Sequence, residues 1–194
     1  MKILYVRPAR SKGYLKIGIL IDDEEVRLFV SEREYSEAGE PMSSDNLTRD
    51  TYELLCLADM RYRAKLKALR VLEYADNSEY RLLQKLLHSK IDRDVAEETV
   101  EEMVRLGYLS DTRQLRRIIE NEANRRLIGP HLIIPKLISK GYKRKDISLV
   151  LSELLEDGTV DFEKSKEALI EKKCEGLSEE ETKKILYKNG YSVC

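Results

Sequence analysis

Arg113, Arg116, Arg117, Arg125 and Arg126 fall within one short stretch of this chain. A guanidinium presents a planar fork of donors that pairs with a carboxylate or a phosphate, and it stays charged at any working pH. The cluster is therefore a candidate contact for an acidic protein surface or for a nucleic-acid backbone. Lys136, Lys140, Lys143, Arg144 and Lys145 form a second basic block around Gly141. Arg81 and Lys85, with Lys90 and Arg93, form a third. Each block also reads as an ordinary solvated face, with Arg125 and Arg126 favoured at the end of a helix by its dipole.

The other reactive residue types are scattered. His88 and His131 have no spacing that makes a metal site or a catalytic triad. No glycine-rich phosphate loop is present. Glu97, Glu98, Glu101 and Glu102 recur at helical spacing and read as a solvated face. Cys56, Cys174 and Cys194 are odd in number and far apart, which fits a reducing compartment and neither a disulfide framework nor a zinc site. Cys56, between leucines, is expected to be buried and inert. Eleven tyrosines invite base stacking. Tyr62, Tyr74 and Tyr108 nevertheless sit where helix packing is expected, and Tyr142 and Tyr191 follow equivalent glycines, which suggests a repeated packing role. The reading is of a non-enzyme with no cofactor, metal or small-molecule substrate.

Composition narrows the class further. The 194 residues carry 35 basic and 36 acidic side chains, so bulk charge marks neither a nucleic-acid binder nor an acidic tail. Along the chain the balance is uneven. Residues 61–93 carry nine basic and four acidic groups, and residues 112–145 carry ten and two. A neutral protein with such blocks can present positive faces. Apolar runs are far too short for a membrane span, and the first ten residues lack a signal-peptide core. A cytoplasmic protein is expected.

Elements that could position these groups follow from periodicity. Ile3–Arg7 reads as a strand. Tyr14–Ile21 follows, with Leu15, Ile17, Ile19 and Ile21 on one face, then a turn at Asp22-Asp23-Glu24 and a returning strand over Val26–Val30. A small antiparallel meander results, marginal alone and needing helices to pack on. Residues 39–46 read as a linker. Beyond it the spacing is helical. Asn77-Ser78 caps a helix from Glu79, and Asp92 caps the next, which Gly107 ends. A helix from about Thr112 follows. Gly129-Pro130 starts another that Gly141 ends, and Gly158 ends a third. Pro135, inside the second of these, predicts a kink or a short first turn.

Shifting the chain by 51 residues aligns Lys85 with Lys136, Leu86 with Leu137, Arg93 with Arg144, Met103 with Leu154 and Gly107 with Gly158. This predicts a duplicated three-helix unit. A third copy begins at Asp161, with Ser178 and Glu181 as a capping box and Gly190-Tyr191 matching Gly141-Tyr142. Asn77-Ser78-Glu79 with Leu82, Lys85 and Leu86, and Ala68-Leu69-Arg70-Val71-Leu72 before it, resemble the first-repeat motif of the RecX regulatory proteins. Leu106-Gly107-Tyr108-Leu109-Ser110-Asp111 resembles that family's junction between repeats. Gly129-Pro130, with Ile133, Leu137, Lys140 and Gly141, resembles its second-repeat motif. The similarity runs over about residues 60–160. His131 stands where the pattern leads one to expect a basic side chain.

The expected fold is mainly α: tandem three-helix repeats in an elongated curved array, behind a small N-terminal antiparallel β meander. The segments are 1–38 (meander and short helix), 39–46 (linker), 47–76 (connecting helix leading into repeat 1), 77–110 (the rest of repeat 1), 111–160 (repeat 2) and 161–194 (a truncated repeat 3). The resemblance implies a regulator that lodges in the groove of the RecA recombinase filament on single-stranded DNA. There it would restrain filament growth, ATP hydrolysis, strand exchange and repressor cleavage. Single-stranded DNA is a second candidate contact, and a membrane is not expected as a partner. Two alternatives stay open: a free-standing helical-repeat DNA-binding protein acting through its basic faces, and a scaffold for an unrelated protein.

Overall fold

The computed structural model describes residues 1–192. Cys194 lies outside them. The described residues divide into two compact units. One comprises residues 1–74 with 85–102, and the other residues 75–84 with the chain from Met103 onward.

In the first unit, β1 (Lys2–Pro8), β2 (Tyr14–Ile21) and β3 (Glu24–Ser31) form an antiparallel sheet in sequence order. The meander is as expected, but its second turn is tighter. Ile21 pairs with Glu24, so Asp22 and Asp23 alone make the bend, with φ of 47° and 66°. Such positive angles suit a two-residue hairpin whose twist matches the strands. The period-two face then buries Ile3, Ile17, Ile19, Leu28 and Val30 against Leu47, Leu55 and Ala58. Two of these come from the long helix α2 (Arg49–Tyr74), and α1 (Glu32–Glu37) is fixed by a Ser31–Glu34 capping box.

Buried Asp59 on α2 accepts the Phe29 amide at 2.8 Å and Arg63 Nε at 2.6 Å, tying helix to sheet. Tyr62 stacks on Phe29 at 5.3 Å. Two expectations fail in this unit. Tyr74, the last residue of α2, is 91% exposed. Cys56 is half-buried at the margin of the core rather than inside it.

Helices α3 (Glu79–His88) and α4 (Arg93–Arg105) contribute residues to both units. The second unit continues with α5 (Asp111–Glu120), a π turn (Asn121–Arg125), α6 (Pro130–Ser139), α7 (Arg144–Glu156), α8 (Phe162–Lys173) and α9 (Glu179–Lys188). Its core joins Leu115, Ile119, Ala123, Ile133, Leu137, Tyr142, Ile147, Val150, Leu154 and Val160. Gly129 caps α6 and Pro130 takes the first helical position, as expected, while α6 runs on through Pro135.

The 51-residue period recurs in the burial of several matched residues and in the helix ends. Leu86 and Leu137 are fully buried, as are Met103 and Leu154, whereas Val104 and Leu155 are both exposed. α3, α6 and α9 end in the same hydrogen-bonded reversal, in which Ile91, Tyr142 and Tyr191 donate their amides to Leu86, Leu137 and Leu186. The residue before each donor is left-handed: Lys90 at φ 60°, Gly141 at 87° and Gly190 at 84°. Tyr142 and Tyr191 are buried in equivalent places, while Tyr108, expected in the core, is 58% exposed beyond the end of α4.

Candidate partner-binding face

The helix that carries the arginine cluster begins one residue earlier than expected. Ser110 caps it by accepting the Arg113 amide at 3.3 Å. Its buried stripe, Leu115 and Ile119 continued by Ala123, turns the intervening arginines outward. Asp111 in its first turn accepts the Glu79 amide at 3.0 Å and so anchors the start of α3. Burial raises its pKa to about 6, against the lowering effect of that hydrogen bond, and the carboxylates of Glu79 and Asp146 add to the rise. Beside it, the buried Tyr142 hydroxyl donates to Gln114 at 2.8 Å and the Ser78 hydroxyl to the Lys140 carbonyl at 2.7 Å.

The three arginines of α5 each have an intramolecular partner. Arg113 donates to the Gly107 carbonyl at 2.9 Å and helps close the end of α4. Arg116 bridges Glu153 at 2.9 Å and Asp157 at 3.1 Å, both at the end of α7. Arg117 pairs with Asp76. A partner that recruits these side chains has to compete with a carbonyl at Arg113 and with carboxylates at Arg116 and Arg117.

Of the remaining two arginines, Arg125 ends the π turn and Arg126 caps it. The Arg126 amide reaches back five residues to the Asn121 carbonyl, at 3.1 Å. This wider turn keeps Glu122 and Ala123 buried while Asn124, Arg125 and Arg126 face solvent. Glu122 is 4% exposed, and its Oε1 receives both Arg126 at 3.2 Å and Lys136 of α6 at 2.8 Å. Its second oxygen, buried, has no partner. Arg117, Arg125, Arg126, Lys136 and Lys140 line one groove of about 910 Å³ together with Glu120, Glu122, Asn121, Asn124 and Ile118. The structure thus gathers members of two basic blocks that are separate in sequence.

Lys143, Arg144 and Lys145 lie outside that groove. They are exposed and occupy the cap and first turn of α7, where the helix dipole disfavours cations. Among the described residues none of the three forms an ion pair, although Asp146 shares their turn and the Lys143 charge acts on Asp111. Arg81 and Lys85 are exposed on α3, with Lys85 in the portion that belongs to the first unit. Among the described residues, no group of three or more His, Cys, Asp or Glu side chains could hold a metal ion. No helix among them is long and apolar enough to cross a membrane.

Spacing alone did not reveal Glu122 as the hub of this face. Within a run of polar residues nothing distinguishes it from Glu120. The only available signal was its place four residues after Ile118 and seven after Leu115, on the edge of the apolar stripe.

These features define a helical-repeat protein with a small β meander at its head. No family model matches the chain. The chain is 32% identical over 130 residues to Regulatory protein RecX of Clostridioides difficile, a match covering 67% of this chain and 59% of that protein. It is 28% identical over 159 residues to Regulatory protein RecX of Lactobacillus gasseri, covering 82% and 57%. The chain therefore spans under two thirds of the length of these curated relatives. A crystal structure of regulatory protein RecX superposes with a TM-score of 0.72 over 98% of this chain and 94% of that one, at 19% identity. RecX from Lactobacillus salivarius superposes with a TM-score of 0.57 over 70% and 90%, at 21% identity. The chain belongs to the RecX family.

Proposed function

We propose that this protein is a non-enzymatic regulator of the RecA recombinase that binds the RecA filament in the cytoplasm. Binding restrains filament growth, ATP hydrolysis and strand exchange, and the protein acts by lodging in the filament groove. Family membership supports the RecA partner. The observation that carries the binding role is the set of exposed cations in the second unit, above all Arg125 in the groove and Lys143, Arg144 and Lys145 at the start of α7. Arg144 and Lys145 form no ion pair among the described residues, and they stand exposed at a helix start where the dipole disfavours cations. With the repeat segmentation kept at residues 77–110, 111–160 and 161–194, the binding role falls to the second segment, the one of the three with more basic than acidic side chains.

Cosedimentation with RecA filaments assembled on single-stranded DNA tests this directly. Wild type is expected in the pellet. A triple variant R125E/R144E/K145E is expected to stay in the supernatant while melting like wild type. A folded triple variant that pellets fully contradicts the assignment of this face. The same cations favour one second reading, a free-standing DNA-binding protein. That reading requires affinity for DNA without RecA, and a steep loss of affinity with salt as neutralised phosphates release counterions.

A further inference from the structure

We infer that the groove between the π turn and α6 is a docking site for an acidic peptide segment of a protein partner, and that Glu122 is its internal placeholder. The inference rests on the partner-binding reading above and names what this groove recognises.

The lining has two components. Arg117, which Asp76 already pairs, and four further cations, Arg125, Arg126, Lys136 and Lys140, outnumber the carboxylates of Glu120 and Glu122 in the groove. Asn121, Asn124 and Ile118 add amide and apolar surface. Such a mixed wall suits a peptide, which brings carboxylates for the cations, backbone groups for the amides and aliphatic carbons for Ile118. A nucleic-acid strand would be drawn by a bare basic field. Here carboxylates interrupt the field, and the chain as a whole is formally −1.

Glu122 explains how the site stays formed while empty. One buried oxygen holds both Arg126 and Lys136, and the other is left without a donor. A single carboxylate that takes two cations through one atom leaves both under-neutralised. A peptide carboxylate entering the groove can take over Arg126 or Lys136, because those side chains are anchored at one end only and are themselves partly exposed. The π turn supplies the geometry, since its wider loop sets buried Glu122 next to exposed Arg125 and Arg126. Single π insertions in otherwise α-helical segments recur at functional sites.

The test is fluorescence anisotropy with the full chain at fixed low salt. One probe is a labelled glutamate-rich peptide and the other a labelled oligothymidylate of matched charge. The peptide is expected to bind at least as tightly as the oligonucleotide. R125Q/K136Q is expected to weaken the peptide about tenfold, as two charge-assisted contacts are lost. E122Q is expected to tighten it about threefold, because glutamine keeps an acceptor for Arg126 and Lys136 but frees their charge. Thermal melting confirms that each variant is folded, and R125Q/K136Q suffices should E122Q fail to fold. Preference for the oligonucleotide overturns the inference, as does peptide binding indifferent to R125Q/K136Q or unchanged in folded E122Q. RecA is absent from this assay. Peptide binding that persists when the protein has no effect on RecA rejects the RecA reading alone. A RecA effect that survives without any peptide binding rejects the groove alone.

Discussion

Asp111 makes the stability of the second unit depend on pH in a direction opposite to that of most carboxylates. In the folded chain its pKa rises from 3.8 to about 6. The folded state therefore holds the proton more tightly than the unfolded chain does. The ionised carboxylate costs stability above the folded value, and the cost fades as pH falls through 6 and is gone below about 4. Full conversion of that difference, at about 1.36 kcal/mol per pH unit, gives about 3 kcal/mol. Asp111 is only half-buried, and solvent screening of a partly exposed charge reduces the figure to about 1–1.5 kcal/mol. Asn at this position keeps an oxygen for the Glu79 amide and removes the charge. The assay is urea unfolding of wild type and D111N at pH 4.5 and pH 8, followed by circular dichroism. D111N is expected to gain about 1 kcal/mol on wild type between the two pH values, whatever fixed offset separates them. Parallel pH profiles, or a gain by wild type at high pH, would refute the assignment of burial as the dominant cause.

Three further outcomes follow from packing and hydrogen bonding. L137A removes a fully buried side chain and is expected to cost about 2–5 kcal/mol in urea unfolding. I138A, on the exposed neighbour, is expected to cost under about 1 kcal/mol, and equal losses would contradict the repeat register. G129A would place a Cβ 2.2 Å from the Gly190 carbonyl oxygen. About 1–3 kcal/mol of destabilisation is expected, together with faster hydrogen exchange at Gly129, whose amide donates to Asn189. D59A leaves the Phe29 amide without its acceptor and is expected to cost about 1–3 kcal/mol, with the loss seen in the β3 amides.

Much of the scaffold is local in origin and was legible for that reason. Alternation in β2, the Ser178 capping box, Pro130 at a first helical position and Gly107, Gly141 and Gly158 at helix ends are decided by neighbours a few residues away. Lys90 shows where that ends. It takes the same left-handed position as Gly141 at a cost of only about 1–2 kcal/mol, which the packed turn around it covers, so its residue type gave no warning. Tyr74 and Tyr108 failed as core residues because helical spacing assigns a face without saying whether a partner covers it. The basic face divides similarly. Its residues were visible in the sequence, but the pairing of Arg116 with Glu153, 37 positions away, depends on how α5 and α7 cross. The convergence of Arg126 and Lys136 on Glu122 depends on a π turn that no short pattern marks.

The most direct test of the account is single-stranded-DNA-dependent ATP hydrolysis by RecA, titrated with this protein at fixed salt. Inhibition at concentrations well below RecA is expected, and its loss in R125E/R144E/K145E ties it to the basic face. Undiminished hydrolysis at a molar excess of folded wild-type protein would contradict the regulatory role.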